Sequence, residues 1–277
     1  MILTVHHRTR YTYDRAMRGV VQTQRLTPSR FDGQSVQAWD IAVTCDDGAR
    51  MVQGGSFRDG AGDLVQSCSI VGPVTEVVVT VSGTVETVDL TGVLRGHRER
   101  IPPEAYLRPT SATAADVSVA DLARQATDGV PESDGLARAH RLSEAVQAAI
   151  AYRPGVTRAH TTGAEALALG EGVCQDHAHA LIAAARCVGL PGRYVSGYLQ
   201  ATENGTPHEA AHAWAELWVA GLGWVGFDAS NGVCPDDRYI RTGSGRDARE
   251  AAPIRGIARG PGTEALDVTV AVGQAQQ

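Results

Sequence analysis

The pattern of apolar residues changes its period once along the chain, and this change constrains the fold more than any other feature. The first ninety or so residues are rich in β-branched side chains that partly alternate with polar ones, which is typical of strands. After about residue 115 the apolar residues recur at helical spacing. The predicted strands of the first part are TVHHRTRYTYD, VVQTQRLTP, VQAWDIAVTC and TEVVVTVSGTVETV. We therefore predict an α+β protein in which an N-terminal antiparallel β-sandwich, residues 1–100, precedes a second domain, residues 101–277.

One helix of the second part carries a cysteine at its beginning. The segment GEGVCQDHAHALIAAARCVGLPG has helically spaced apolar residues from Ala178 onward, and Gly189 and Pro191 end the pattern. Cys174 thus falls in the first turn, where free amide groups and the helix dipole stabilise a thiolate. The same amides can stabilise an oxyanion that forms beside the sulfur. From the helix alone, two interpretations of Cys174 are possible: it is a nucleophile or a buried structural cysteine.

Two strands joined by a turn follow this helix and supply a histidine and an acid. The segment EAAHAWAELWVAGLGWVGFDASNG puts His212 and Trp214 on one face of the first strand and Asp228 at the end of the second. Pairing Leu217 with Gly223 would set His212 directly opposite Asp228, with the two Cβ atoms about 5 Å apart. Asp228 would then accept the imidazole N–H and leave the other ring nitrogen for the thiol. A slip of one residue would place the two side chains on opposite faces.

In their order and spacing, four motifs resemble the transglutaminase-like superfamily of papain-related thiol enzymes, above all its bacterial branch. These motifs are GVCQDHAH, GLPGRYVSGYL, HAWAELWV and GWVGFDASNG. The N-terminal HRTRYTYDR, the connector AYLRPT and the tail DDRYIRTGSGRDAREAAPIRG are also similar to that branch. The resemblance implies a catalytic triad of Cys174, His212 and Asp228. It also implies a papain-like α+β core, in which the thiol helix packs on an antiparallel sheet, and acyl chemistry on an amide or ester through a thioester.

Three further residues are candidates for a supporting role at this site. Gln175 is a polar group that would line it. His177 lies one helical turn from Cys174 and is either a second base or a hydrogen-bonded structural histidine. Trp214 either shields the bond between His212 and Asp228 from water or packs in the sheet. Glu216, further along the same strand, is expected to be solvated.

The cysteines and histidines do not form a recognisable metal-binding pattern. Cys174, His177 and His179 do not share one helical face, and neither a CxxC nor an HExxH motif is present. The five cysteines are odd in number and widely spaced, which fits neither a disulfide scaffold nor a zinc ribbon. We predict no metal and no cofactor, and we expect Cys187 to pack in the core.

Charge and composition exclude several classes of partner. The net charge is −6 and basic residues are not clustered, unlike in nucleic-acid-binding proteins. No apolar run is long enough to span a bilayer, and the N-terminal apolar stretch is too short for a signal peptide. We therefore predict a cytoplasmic protein without a membrane partner. The chain contains no lysine, so it offers no side-chain amine for self-cross-linking.

The sequence favours hydrolysis of a peptide, protein or small amide substrate by a Cys174 thioester, as in a cysteine protease or amidase. Transfer of the acyl group to an amine, as in a protein-glutamine transglutaminase, is the alternative. A non-catalytic scaffold or interaction protein that retains the fold is a further one. The substrate and the oligomeric state are left open.

Overall fold

The computed structural model describes residues 1–46, 48–200 and 211–274. The described residues form two large antiparallel sheets, a short parallel pair of strands and four α-helices, so this is an α+β protein as the sequence predicted. The helices are α1 (Val117–Ala126), α2 (Gly135–Ala149), α3 (Gly163–Leu169) and α4 (Cys174–Cys187). The strands are β1 (Ile2–Gln24), β2 (Gln34–Cys45), β3 (Arg50–Arg58), β4 (Leu64–Thr87), β5 (Ala151–Tyr152), β6 (Glu171–Gly172), β7 (Gly192–Leu199), β8 (Ala211–Val219), β9 (Gly223–Phe227), β10 (Tyr239–Gly245), β11 (Ile254–Arg259) and β12 (Glu264–Gln274).

The N-terminal sheet is built around two long strands, β1 and β4, which pair antiparallel over almost their whole length. Their register shifts between Thr12 and Gly19, where the pairing is irregular. Irregularities of this kind bend a strand, and side chains from both halves of the sheet share one apolar cluster that includes Tyr13, Val20 and Val77. The segment predicted as TVHHRTRYTYD and the VVQTQ part of the segment predicted as VVQTQRLTP therefore belong to the single strand β1.

The last two strands return to the N-terminal sheet. β12 pairs with the first half of β1, and β11 pairs with its second half. The segment between β4 and α1, which the sequence marks as a connector, contains only a short 3-10 turn at Pro103–Leu107. The division at residue 100 stays a prediction, and strand pairing places residues 254–274 beside β1.

The C-terminal sheet has the strand order β10-β7-β8-β9, and α4 packs against β7 and β8. Ten consecutive residues of α4, 176–185, are buried. Small alanine side chains at positions 178, 180 and 183–185 let the sheet and helices α1–α3 approach this helix closely. α4 is thus a central helix that reaches the surface only at its two ends, because Cys174 and Gln175 are half-buried and Cys187 is exposed.

A buried cluster of charged residues joins the two sheets. Glu216 on β8 bonds Arg193 on β7, with Nε–Oε2 at 2.6 Å, and Arg241 on β10, with Nε–Oε1 at 2.9 Å. Arg241 also bonds Asp63, which precedes β4 in the N-terminal sheet, at 2.7 Å. Glu216 is only 3% exposed, so the expectation of a solvated residue was wrong. Its position between two arginines provides the partners that a buried carboxylate needs.

The five cysteines are all free thiols, and one of them differs from expectation. Cys187, at the end of α4, is exposed rather than packed in the core. Asp47, which the sequence places in a turn, and the residues before Ala211 that were assigned to the strand of His212 lie outside the described residues. Among the helices that the structure describes, none has the length and apolar character needed to cross a membrane.

Candidate active site

Cys174 is the first residue of α4, as the helical pattern predicted. The preceding residue, Val173, has extended backbone and a side chain that cannot cap the helix. The Asp176 carboxylate instead bonds the Val173 amide at 2.8 Å and the Thr157 hydroxyl at 2.6 Å. Within the described part of the chain, the amides of Cys174 and Gln175 have no hydrogen-bond acceptor. Two free donors therefore lie beside the sulfur, at the positive end of the helix dipole.

Gly172 allows this arrangement of the first turn. A Cβ atom at this position would lie 2.8 Å from the Oδ2 atom of Asp176. Any side chain would therefore displace the carboxylate that holds the Val173 amide. The absence of a side chain at Gly172 thus leaves room for the Asp176 carboxylate.

His212 and Asp228 meet across the β8–β9 hairpin, with His212 Nε2 2.7 Å from Asp228 Oδ2. The expected pairing of Leu217 with Gly223 was wrong, because Leu217 pairs with Val225. The last observed pair is Ala215 with Phe227. The next pair in the same register would be Trp214 with Asp228, which places His212 diagonally across from Asp228. A shift of two residues keeps both side chains on the same face, and a diagonal neighbour remains within reach of a long side chain.

The Asp228 carboxylate accepts hydrogen bonds from three residues besides His212. Oδ2 accepts from the Tyr239 hydroxyl at 2.8 Å and from the Asn231 side-chain amide at 2.7 Å. Oδ1 accepts from the Ser230 hydroxyl at 2.6 Å and from the backbone amides of Ser230 and Asn231. The carboxylate is 1% exposed and fixed on every side, so it can hold the His212 ring in one orientation.

The pKa shifts of this pair follow from these contacts. Burial alone would lower the pKa of His212, but hydrogen bonds and charge from Asp228 and Cys174 outweigh it and raise the pKa to about 10. Burial alone would raise the pKa of Asp228, but the bonds from His212, Ser230 and Asn231 hold it well below its usual range. At neutral pH the pair is therefore an imidazolium and a carboxylate.

The thiol of Cys174 lies close enough to the His212 ring to contribute to its raised pKa. Because Nε2 of His212 faces Asp228, Nδ1 is the nitrogen that remains for the sulfur. The structure thus brings Cys174, His212 and Asp228 together in one row, from the start of α4 to the end of β9. This order is that of a nucleophile, a base and a group that orients the base.

Aromatic rings enclose the polar row on the side of the sheet. Trp214 stacks on His212 with ring centroids 6.4 Å apart, and Tyr239 contacts both rings edge-on. Trp214 is 3% exposed and packs with Val195 and Tyr239. Both roles expected of Trp214, shielding and packing, are thus compatible with its position. By excluding water these rings strengthen the bond between His212 and Asp228.

The other two candidate residues have different positions. Gln175 lies beside the thiol and donates from its side chain to the Ala159 carbonyl at 3.3 Å, which links α4 to the loop before α3. His177 is 2% exposed, and its two ring nitrogens each lie 2.9 Å from a backbone carbonyl, those of Val173 and Ile150. These contacts make His177 a buried structural histidine rather than a second base at the surface of the site.

His179, the other histidine of α4, is also engaged within the protein. Its Nε2 accepts from the Ala248 amide at 3.0 Å, and burial lowers its pKa to about 4. No group of three or more potential metal ligands is found among the described residues.

Sequence reasoning did not identify Tyr239, Asn231 or Ser230. The stretch after Asp228 did contain a signal, because Ser, Asn and Gly directly after an Asp are typical of a turn in which the carboxylate accepts backbone amides. Tyr239 has no comparable signal, since β10 and β9 lie at opposite edges of the sheet and only the folded structure shows that the Tyr239 hydroxyl reaches Asp228.

Comparison with known proteins identifies the family. The model of the transglutaminase-like superfamily matches residues 120–229, and that of the bacterial transglutaminase-like N-terminal region matches residues 3–86. A relative in Mycobacterium leprae (strain TN) is 32% identical, and the match covers 98% of each chain. The protein belongs to the transglutaminase-like superfamily.

A second relative and a solved structure extend this comparison. A protein of Mycobacterium tuberculosis (strain H37Rv) is 28% identical over 91% of this chain and 86% of its own. Both mycobacterial relatives are uncharacterized proteins. The crystal structure of a candidate cysteine protease from Cytophaga hutchinsonii matches with a TM-score of 0.71 and 21% identity, over 100% of this chain and 92% of that one. At 21% identity, this match shows that the two proteins share a fold.

Proposed function

We propose that this protein is a thiol enzyme that cleaves a peptide or carboxamide bond through a thioester on Cys174. The observation that carries the proposal is the bond between His212 and a fully engaged, buried Asp228, at a ring that also reaches Cys174. An imidazolium beside the sulfur favours the thiolate, which is the nucleophilic form. A scaffold protein would have no need of this combination of charges.

The reaction follows from the positions of these groups. The Cys174 sulfur attacks the carbonyl carbon, and His212 holds the proton that the thiol has given up. The free amides of Cys174 and Gln175 stabilise the oxyanion of the tetrahedral intermediate. When the C–N bond breaks, His212 donates its proton to the departing amine, and the acyl group remains on sulfur.

Release of the acyl group completes the cycle. His212 takes a proton from water, and the resulting hydroxide attacks the thioester carbonyl. The C–S bond breaks and yields a carboxylic acid, while Cys174 and His212 regain their starting forms. If an amine replaces water at this step, the product is a new amide. Acyl transfer of this kind is the second candidate function, since the same groups serve both reactions.

Alkylation of Cys174 tests whether the thiol is activated. With iodoacetamide at about pH 6, an ordinary thiol reacts slowly because it is mostly protonated. We expect fast modification of Cys174 alone, which is lost in H212A, with the exposed Cys187 as an internal control. Slow modification spread over several cysteines would favour a non-catalytic scaffold.

A product analysis then separates the two reactions. The protein and the variant C174A are incubated with a peptide library, with and without an added primary amine, and product masses are measured. Hydrolysis gives shorter peptides or a conversion of amide to acid, whereas transfer gives the mass of the amine adduct. Absence of any Cys174-dependent product, together with an unreactive thiol, would contradict the proposal.

A further inference from the structure

A cleft between the two sheets lies apart from the row of Cys174, His212 and Asp228. Its volume is about 460 Å³, within the range of about 300–1,000 Å³ typical of small-molecule sites. Its walls are the loop between β3 and β4, the connector around Tyr106, and the end of β10 at Gly245. Tyr239, at the other end of β10, contacts Asp228, so about 20 Å of strand separates the cleft from the site.

The lining of this cleft is positively charged, although the whole chain carries a net charge of −6. It contains four arginines and two carboxylates. The charged residues are Arg25, Arg108, Arg246, Arg255, Asp59 and Glu250. Two of the arginines are neutralised within the cleft, because Arg25 pairs with Asp59 and Arg246 pairs with Glu250. Two positive charges are left over.

Arg25 is the most informative member of this set. Its side chain is only 16% exposed, and it bonds Asp59 through Nε alone, at 3.3 Å. Among the described residues, its two terminal nitrogens have no acceptor. The guanidinium of an arginine presents these nitrogens as a planar fork that matches a carboxylate or phosphate. A half-buried arginine whose fork is unused beside a cavity can therefore bind an oxyanion.

Arg108 and Arg255, which are both exposed, supply the two remaining positive charges. Arg108 belongs to the connector, and Arg255 is the second residue of β11. Within the part of the chain that the structure describes, neither side chain forms an ion pair. Arg25, Arg108 and Arg255 therefore line one cavity with guanidinium groups that have donors to spare.

The connector wall of the cleft is held firmly by the thiol helix. Arg186, near the end of α4, donates to the Tyr106 carbonyl at 2.6 Å and to the Gly192 carbonyl at 3.1 Å. The opposite wall is fixed by Asp59, which accepts from the amides of Ala61 and Asp63 at 3.0 and 3.1 Å. Because these walls are already fixed, a ligand that binds here does not have to order them, which reduces the entropic cost of binding.

We propose that this cleft binds a small organic or inorganic anion with at least two negative charges, bearing phosphate or carboxylate groups. Arg25 binds one oxyanion group with its terminal nitrogens, and Arg108 and Arg255 neutralise the remaining charge. Because the ligand contacts the N-terminal sheet, the connector and β10 together, its binding also stabilises the contact between the two sheets.

Isothermal titration calorimetry on the full chain tests this, with sodium pyrophosphate and sodium citrate as probes. Glucose serves as the neutral comparison, and sodium chloride keeps the ionic strength constant. We expect saturable binding of at least one anion with Kd below about 1 mM, and a higher melting temperature in its presence. Tighter binding of pyrophosphate would assign phosphate groups to the natural ligand, and tighter binding of citrate would assign carboxylates.

Two double variants make the test specific to the cleft. R108Q/R255Q removes the unpaired charges, and we expect its Kd to rise at least about tenfold. R124Q/R141Q removes two charges from exposed arginines on α1 and α2, which do not line the cleft, and should leave Kd unchanged. Lack of saturable heat with both anions up to about 10 mM, or equal weakening in the two double variants, would overturn the proposal.

Discussion

At the scale of single residues, the Asp228 carboxylate determines the protonation state of His212. It collects donors from His212, Tyr239, Asn231 and Ser230, and its negative charge keeps the His212 ring protonated. An amide in its place would keep the shape of the side chain but lose the charge. The pKa of His212, which is about 10, would then fall, because burial would no longer be opposed by Asp228.

We therefore predict that D228N lowers the rate of any Cys174-dependent reaction by about 10²- to 10⁴-fold at neutral pH. The variant should also lose the fast alkylation of Cys174 at about pH 6, because a neutral His212 no longer favours the thiolate. Alkylation rates measured from pH 5 to 11 would show the shift. In the wild type we expect His212 to lose its proton only near pH 10, and in the variant at lower pH.

Two other substitutions serve as graded controls for D228N. Y239F removes one donor to Asp228 and leaves the carboxylate, so the rate should fall by no more than about tenfold. Y198F removes a buried hydroxyl that bonds His7 instead, at 2.9 Å, and should leave the alkylation rate unchanged. Unchanged alkylation in D228N at about pH 6 would show that Asp228 does not set the charge of His212.

At the scale of secondary structure elements, close packing around α4 fixes the position of the thiol. α3 approaches α4 at Gly163, where a Cβ atom would lie 2.6 Å from the Ala180 backbone nitrogen. Backbone atoms cannot move aside as a flexible side chain can. Gly163 is thus a contact point between two helices, and its lack of a side chain sets their spacing.

We predict that G163A lowers the free energy of unfolding by about 1–3 kcal/mol, because the two helices must separate. G135A is a matched control, since Gly135 also begins a helix but has no atom closer than 3.7 Å to a new Cβ. That variant should be unchanged or more stable, because alanine favours helix. Urea unfolding of both variants is the measurement, and equal stability of the two would show that the contact with α4 is not tight.

At the scale of the whole molecule, the buried ion cluster around Glu216 connects the two sheets. Burial alone would raise the pKa of Glu216, but Arg241 and Arg193 outweigh it and lower the pKa to about 2. The folded pKa lies below the unfolded value, so the ionised group stabilises the fold above about pH 4.5. This contribution is lost as the pH falls from 4.5 towards 2.

We predict that E216Q lowers the free energy of unfolding by about 3–5 kcal/mol at pH 7, because it leaves two buried arginines without their shared partner. The difference between wild type and variant should shrink between about pH 4.5 and 2, where the wild-type carboxylate also becomes protonated. E144Q is the control, since Glu144 is exposed on α2, and it should change stability by less than about 0.5 kcal/mol. A constant difference across this pH range would contradict the assignment.

The sequence by itself determined the local features of this protein. Helical spacing and the stop at Gly189 defined α4 and put Cys174 at its beginning, because these signals lie within a few residues. Strand alternation put His212 and Asp228 on one face even though the expected register was two residues off. Side chains alternate with a period of two residues, so a shift of two leaves each side chain on the same face. The family could be identified from motifs that follow one another in the chain.

Only the tertiary structure decided which distant residues meet. Periodicity shows that a face is buried but not what covers it, and for this reason the prediction of a solvated Glu216 is wrong. For the same reason the sequence does not predict the hydrogen bond from Tyr239 to Asp228 or the pairing of β11 and β12 with β1. Nor does it predict that Arg255 and Arg25 line the same cleft. These contacts join residues that are as many as about 270 positions apart, and chain folding alone brings them together.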